Sequence, residues 1–147
     1  MPLRDKLTED MKNAMKSRDD LRLSAIRLIR SAVKNKDIEL KRDLNDQEIV
    51  EVVASLVKQR KESIRLFTEA GRLDLAGKEE KELAVLLEFL PQQLSRDEIA
   101  ALVEQVVAEC GAQGGKDMGR VMKALMPHLA GRADGKIVSE LVREKLG

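Results

Sequence analysis

Apolar residues recur along almost the whole chain at a spacing close to 3.6, the period that gathers them on one side of an α-helix. Leu3, Leu7, Met11 and Met15 step by four and predict a first helix over about 3–17. Leu21, Ala25, Ile26, Leu28, Ile29, Ala32 and Val33 predict a second from Asp19 to Glu39. Asn45 with Glu48 three positions on is a capping-box spacing, and it opens a long helix through Ile49, Val53, Leu56, Ile64 and Phe67. Gly71 is placed to close that helix. "RLDLAGKEEKELAVLLEFL" predicts a fourth helix, weakened in its first turn by Gly77 and stopped at Leu90 by Pro91.

Ser95 with Glu98 is a second capping box, so "LPQQLSRDEI" reads as a tight joint before a fifth helix over about 96–110. "CGAQGG" is a loop. A sixth helix is expected over about 117–126 with Pro127 near its end. After "AGRADG", Asp134 is placed to cap a last helix carrying Ile137, Val138, Leu141, Val142 and Leu146. The pattern predicts an all-α, multihelical protein: a long-helix N-terminal part, residues 1–91, and a small three-helix C-terminal domain, residues 95–147. Gly71, Gly111, Gly119 and Gly131 are expected at helix ends or tight packings. Gly119 falls inside a helix, and a close helix–helix approach there is the expected reason.

Composition supports helices and narrows the chemistry. The 147 residues are 36% charged and 1% aromatic, with Phe67 and Phe89 the only rings. Few aromatics and few β-branched runs favour helix. The opening "MPLRDKLTED" has no apolar stretch of the signal-peptide kind, and no run approaches the roughly 20 apolar residues a spanning helix needs. A cytoplasmic protein without membrane contact is expected.

The formal net charge is +1, yet it is unevenly spread. Residues 18–42 hold eight basic side chains against four acidic, a net +4; residues 95–110 hold one against four, a net −3; residues 116–136 hold five against two, a net +3. A polyanion would meet local patches and not a polycation.

Catalytic chemistry is sparse. A single cysteine, Cys110, and a single histidine, His128, supply neither a disulfide framework nor a zinc site. Cys110 ends a helix, where the dipole opposes a thiolate. Glu79, Glu80 and Glu82 form the densest acidic group and read as a solvated face partnered by Lys78 and Lys81. No phosphate-cradling glycine loop is present. No metal or cofactor is expected, and no catalytic constellation of the chain's own.

Surface charge remains. Arg27, Arg30 and Lys34 fall within about 60° on a helical wheel and form a basic ridge beside the apolar stripe. It reads as a solvated face or as a phosphate-binding ridge. On the sixth helix Lys116, Arg120 and Lys123 share a face, while Arg132 and Lys136 bracket the start of the last helix, whose free N–H groups attract anions. These five are the candidate RNA-binding residues. With almost no aromatics, stacking on single strands is out of reach, which favours folded RNA. The alternative is a helical protein–protein adaptor with no nucleic-acid role, using Met118, Met122 and Met126 as an adaptable surface.

"GRADGKIVSELVREKLG", preceded by "DMGRVMKALM", resembles the C-terminal tail domain of the B subunit of the glutamine-dependent aspartyl/glutamyl-tRNA amidotransferase, through Gly119, Val121, Met122, Gly131, Arg132, Ala133, Asp134, Val138 and Leu146. "GRLDLAGKEEKEL" and "LEFLPQQLSRDEI", with Gly71, Arg72, Asp74, Glu79, Glu82, Leu90 and Pro91, resemble the stand-alone GatB/YqeY family. The resemblance implies an all-helical, two-part fold and a tail that contacts tRNA. It also implies partnership with amidotransferase or other translation proteins. Carbon–nitrogen ligase activity attaches to this chain only by family association, since the catalytic cradle and the amidase subunit lie outside these residues.

Overall fold

The computed structural model describes residues 2–129 and 131–147. Among them are seven α-helices, one 3-10 turn and no strand. The chain is therefore all-α and multihelical. It divides into two compact units, Met1–Leu90 and Pro91–Gly147.

The first unit holds α1 (Leu3–Ser17), α2 (Asp20–Leu40), α3 (Asp46–Glu69) and α4 (Leu73–Leu87). Asn45 and Glu48 form a full capping box: Oδ1 of Asn45 accepts from the Glu48 N–H at 2.9 Å, and the Glu48 carboxylate accepts from the Asn45 N–H at 3.1 Å. Two N–H groups that helix geometry leaves over are thereby satisfied. Gly71, at φ +73°, ends α3: its N–H bonds to the Thr68 carbonyl and that of Arg72 to the Phe67 carbonyl. α4 stops at Leu87, three residues before the expected end. Leu90 precedes Pro91, whose ring disfavours helical backbone at the residue before it. The last amides tighten onto carbonyls three residues back.

The core of this unit is aliphatic. Ile26, Ile29, Ile49, Val53 and Leu86 are wholly buried, and Leu7 and Phe89 are 2% exposed. Each such side chain contributes roughly 1.5–3 kcal/mol. Polar side chains join the helices around that core. Arg4 on α1 donates two hydrogen bonds of 3.0 Å to the two oxygens of Asp37 on α2. Asp37 Oδ1 also accepts the Leu44 N–H at 2.8 Å, closing the turn that leads to α3. The first amide of α1, on Leu3, is received by Asp46 Oδ1 of α3 at 3.1 Å.

The acidic group on α4 differs from expectation. Arg60 of α3 pairs with Glu79 and, at 2.9 Å, with Glu82. All three are partly shielded from solvent, so these carboxylates belong to a helix–helix seam, and Glu80 alone of the group is fully exposed. Spacing within one helix shows its own i+3 and i+4 partners and is blind to an arginine from its neighbour.

The second unit holds α5 (Arg96–Cys110), a 3-10 turn (Gly115–Asp117), α6 (Met118–Leu129) and α7 (Gly135–Leu146). The Ser95–Glu98 box is present, and Gly111 at φ +63° closes α5. Ile99, Val103, Val121, Leu125, Val138 and Val142 form its core, with Cys110 packed against it. Pro127 lies within the last turn of α6 and does not end it.

Gly119 corrects an expectation. It is exposed, and a Cβ there would meet no heavy atom within 4 Å. No close approach requires a glycine, so Gly119→Ala should raise stability, by up to about 1 kcal/mol in a helix position. An increase in melting temperature checks this.

Acid sensitivity follows from two carboxylates. The Arg4 guanidinium holds Asp37 below its ordinary value, helped by the Leu44 N–H. Hydrogen bonds from Arg42, then from the Asn45 N–H, lower Glu48 from 4.5 to about 2. A depressed folded-state pKa stabilises above the unfolded pKa and ceases to do so as pH falls through the folded one. Melting temperature should therefore fall between pH 4.5 and about 2. Glu48→Gln should lower it at neutral pH and flatten that decline.

Candidate nucleic-acid interface

The basic residues of the tail sit at two ends of one helix. Gly114 is extended, and the chain then tightens into the 3-10 turn that carries Lys116 and Asp117. The Asp117 carboxylate accepts the Gln113 N–H at 3.0 Å, which fixes the loop leading into α6. That hydrogen bond, with Arg120 and Lys116 close by, lowers the Asp117 pKa. Val121, Leu125 and Leu129 turn inward, so Arg120 and Lys123 turn outward.

Arg120 donates to Asp117 Oδ1 at 3.1 Å, with the arginine side chain 57% exposed. A surface pair of this kind is weak, and salt screens it. Lys116 and Lys123 are exposed and have no ion-pair partner within 4.0 Å among the described residues. Pro127 has no N–H to give the Lys123 carbonyl, which leaves an extra acceptor on this face.

Arg132 is tied into its own loop. Its Nε approaches the Gln92 carbonyl at 3.4 Å, and its own carbonyl accepts the Leu94 N–H at 2.8 Å. Beside it, Gln93 Nε2 donates to the Gly131 carbonyl at 2.6 Å. Arg132 thus holds residues 92–94 onto the second unit. Asp134 caps α7, its Oδ1 accepting the Lys136 N–H at 2.9 Å. The expected anion site at that helix start is occupied by the protein's own carboxylate. The Lys136 side chain is exposed.

The structure therefore brings Lys116, Arg120 and Lys123 onto one side of α6 and its lead-in. Arg132 and Lys136 lie past the other end, separated from Arg120 by roughly 13 Å of helix rise. His128 is exposed in the last turn of α6, and no nucleophile or base partner adjoins it among the described residues. In the first unit, Arg27, Arg30 and Lys34 are all exposed on α2, and Arg30 lies against the Met11 sulfur of α1. Sequence spacing within α2 missed Lys12 and Lys16 of α1, which flank this ridge across the helix pair; the signal was the absence of any carboxylate between Met11 and Arg18.

Among the described residues, no three His, Cys, Asp or Glu side chains converge to hold a metal ion. No described helix is long and apolar enough to cross a membrane. These features define an all-helical protein with exposed basic side chains in both units. A family model described as "Yqey-like protein" matches residues 4–146, and the chain belongs to that family.

Curated relatives include yeast proteins named "Altered inheritance of mitochondria protein 41, mitochondrial". That of Kluyveromyces lactis is 39% identical over 107 residues, covering 70% of this chain and 57% of the relative. That of Lachancea thermotolerans is 37% identical over 106 residues, with the same two shares of 70% and 57%. That of Vanderwaltozyma polyspora is 40% identical over 85 residues, 57% of this chain and 46% of the relative. The chain spans about half the length of the curated relatives it matches. Their names overturn the expectation of a cytoplasmic protein. Charge and hydropathy describe how a surface meets water, and aqueous compartments do not differ in that respect.

Asp134→Ala should lower the stability of the second unit by about 1 kcal/mol through the lost cap. Lys123→Ala, which breaks no contact seen here, should change the melting temperature little; thermal unfolding of both variants checks the contrast.

Proposed function

We propose that this chain is a non-catalytic RNA-binding accessory protein that holds folded RNA, tRNA first, by its phosphates. The observation that carries the reading is the side of α6 where Lys116 and Lys123 stand exposed and unpaired next to the loosely held Arg120. Phosphate contacts of this kind position an RNA without reading its bases. Membership of the YqeY-like family supports a relation to the amidotransferase B subunit, whose carbon–nitrogen ligase label, with glutamine as amido donor, describes the assembly it serves. Among the described residues, the side chains of His128 and Cys110 have no hydrogen bond or ion pair that would join them to a nucleophile, base or orienting group for such a reaction. Partners from that assembly or from translation belong to the same proposal.

A second reading is an adaptor for a protein partner. It draws on Met126, 55% exposed on the same helix, with Met122 half-buried one turn before it.

Gel-shift titration of the full chain with bulk tRNA at rising salt separates the two. Lys116→Gln with Lys123→Gln should weaken binding several-fold and flatten its salt dependence by about two ions. Unchanged binding by that variant, or no shift by the parent protein, sinks the reading.

A further inference from the structure

A second group of exposed cations without ion-pair partners among the described residues lies in the first unit, on α1 and α2. From Met11 to Lys36 the chain carries eight basic side chains and only two acidic ones, Asp19 and Asp20, both at the turn between α1 and α2. The fold lays these residues together. α1 and α2 run antiparallel, with Arg4 against Asp37 at one end and Met11 against Arg30 in the middle. That register sets Arg27 and Arg30 of α2 level with the half of α1 that carries Lys12 and Lys16, and Lys34 level with the other half.

Pairing removes only part of this charge. Arg22 is taken by Glu88 and Asp10, and Lys36 by Glu39. Lys12, Lys16, Arg18, Arg27, Arg30 and Lys34 are exposed and have no carboxylate within 4.0 Å among the described residues. The outward arc of α2 between the cations presents Ser24, Ser31 and Asn35, all exposed. A solvated structural face normally intersperses both signs. Here the arc of about 140° on the helical wheel from Arg30 round to Asn35 also holds Arg27, Lys34, Ser24 and Ser31, with Asp20 in the first turn of α2 and the exposed Ile38 near its end.

We infer that the α1–α2 hairpin is a second docking surface, for the phosphate backbone of double-helical RNA. The inference rests on the RNA reading above and adds to it the element that supplies most of the ionic contact. Arg, Lys, Ser and Asn are the side chains that hold phosphate oxygens. The run from Arg27 to Lys34 spans about 10 Å, enough for successive phosphates of one strand. Neither helix exposes an aromatic ring, so the face has no means of stacking on unpaired bases. Helical RNA, read by shape and backbone, is the polyanion it suits. Met15, 52% exposed on α1, and Ile38, 66% exposed on α2, are features that an acidic amphipathic helix would use better than a phosphate.

The test is fluorescence anisotropy of the full chain with a labelled blunt RNA duplex, titrated at several salt concentrations. Arg27→Gln, Arg30→Gln and Lys34→Gln combined should weaken binding at least about tenfold and lower the salt slope by about 2–3. Lys12→Gln with Lys16→Gln, on the other helix, should lower it by about 1–2. Matching melting temperatures and helical circular dichroism confirm that both variants fold. If the tail variant of Lys116 and Lys123 loses binding while both hairpin variants stay within about twofold of the parent, the hairpin is not the site and the RNA reading stands. If no variant weakens binding, or the parent does not bind, both fall. Displacement of the duplex by polyglutamate at equal charge would assign the face to an acidic protein and overturn the inference.

Discussion

Among the described residues no polar or charged side chain is buried, so both cores are closed by apolar groups alone. The 27 basic and 26 acidic residues must therefore settle their electrostatics at the surface. Burying an unpaired charge is far more costly than leaving it in water, and helices with aliphatic stripes allow it to be avoided everywhere. The structural question is then which surface charges the fold pairs and which it leaves in water.

The pairing is selective. Arg4 with Asp37, Arg22 with Asp10, and Arg60 with Glu79 and Glu82 each join two successive helices, and Arg22 with Glu88 ties α2 to the end of α4. They lie at the margins of the core, where partial shielding from water strengthens a pair whose geometry is good. Cations on the outer sides of α1, α2 and α6 face no such partner. Pairing leaves the net charge at +1 but leaves exposed, unpaired cations on α1 and α2 in one unit and on α6 in the other.

The helices were legible because their signals are local. The Asn45–Glu48 and Ser95–Glu98 boxes and the closing glycines Gly71 and Gly111 each require only neighbours within four residues, and each forms. The candidate sites were legible only as lists of cations. Arg132 has the same charge as Lys123, and nothing in their spacing tells that one braces a loop through Gln92 while the other is free. Glu79 and Glu82 looked solvated because their partner, Arg60, comes from another helix. Gly119 looked like a packing site because a glycine in a helix usually needs a reason, and here the space around it is open.

By itself the sequence determined the all-α class, the order of the helices, most of their ends and the apolar stripe on each. Those properties depend on periodicity and on bonds that close within one turn. Only the tertiary structure decided which charges cancel, that Asp46 of α3 receives the first amide of α1, and that α1 lies beside α2 with its lysines flanking the ridge. Contacts between helices depend on register and direction in space. Two lysines equal in sequence become unequal once one of them meets a carboxylate from elsewhere in the chain.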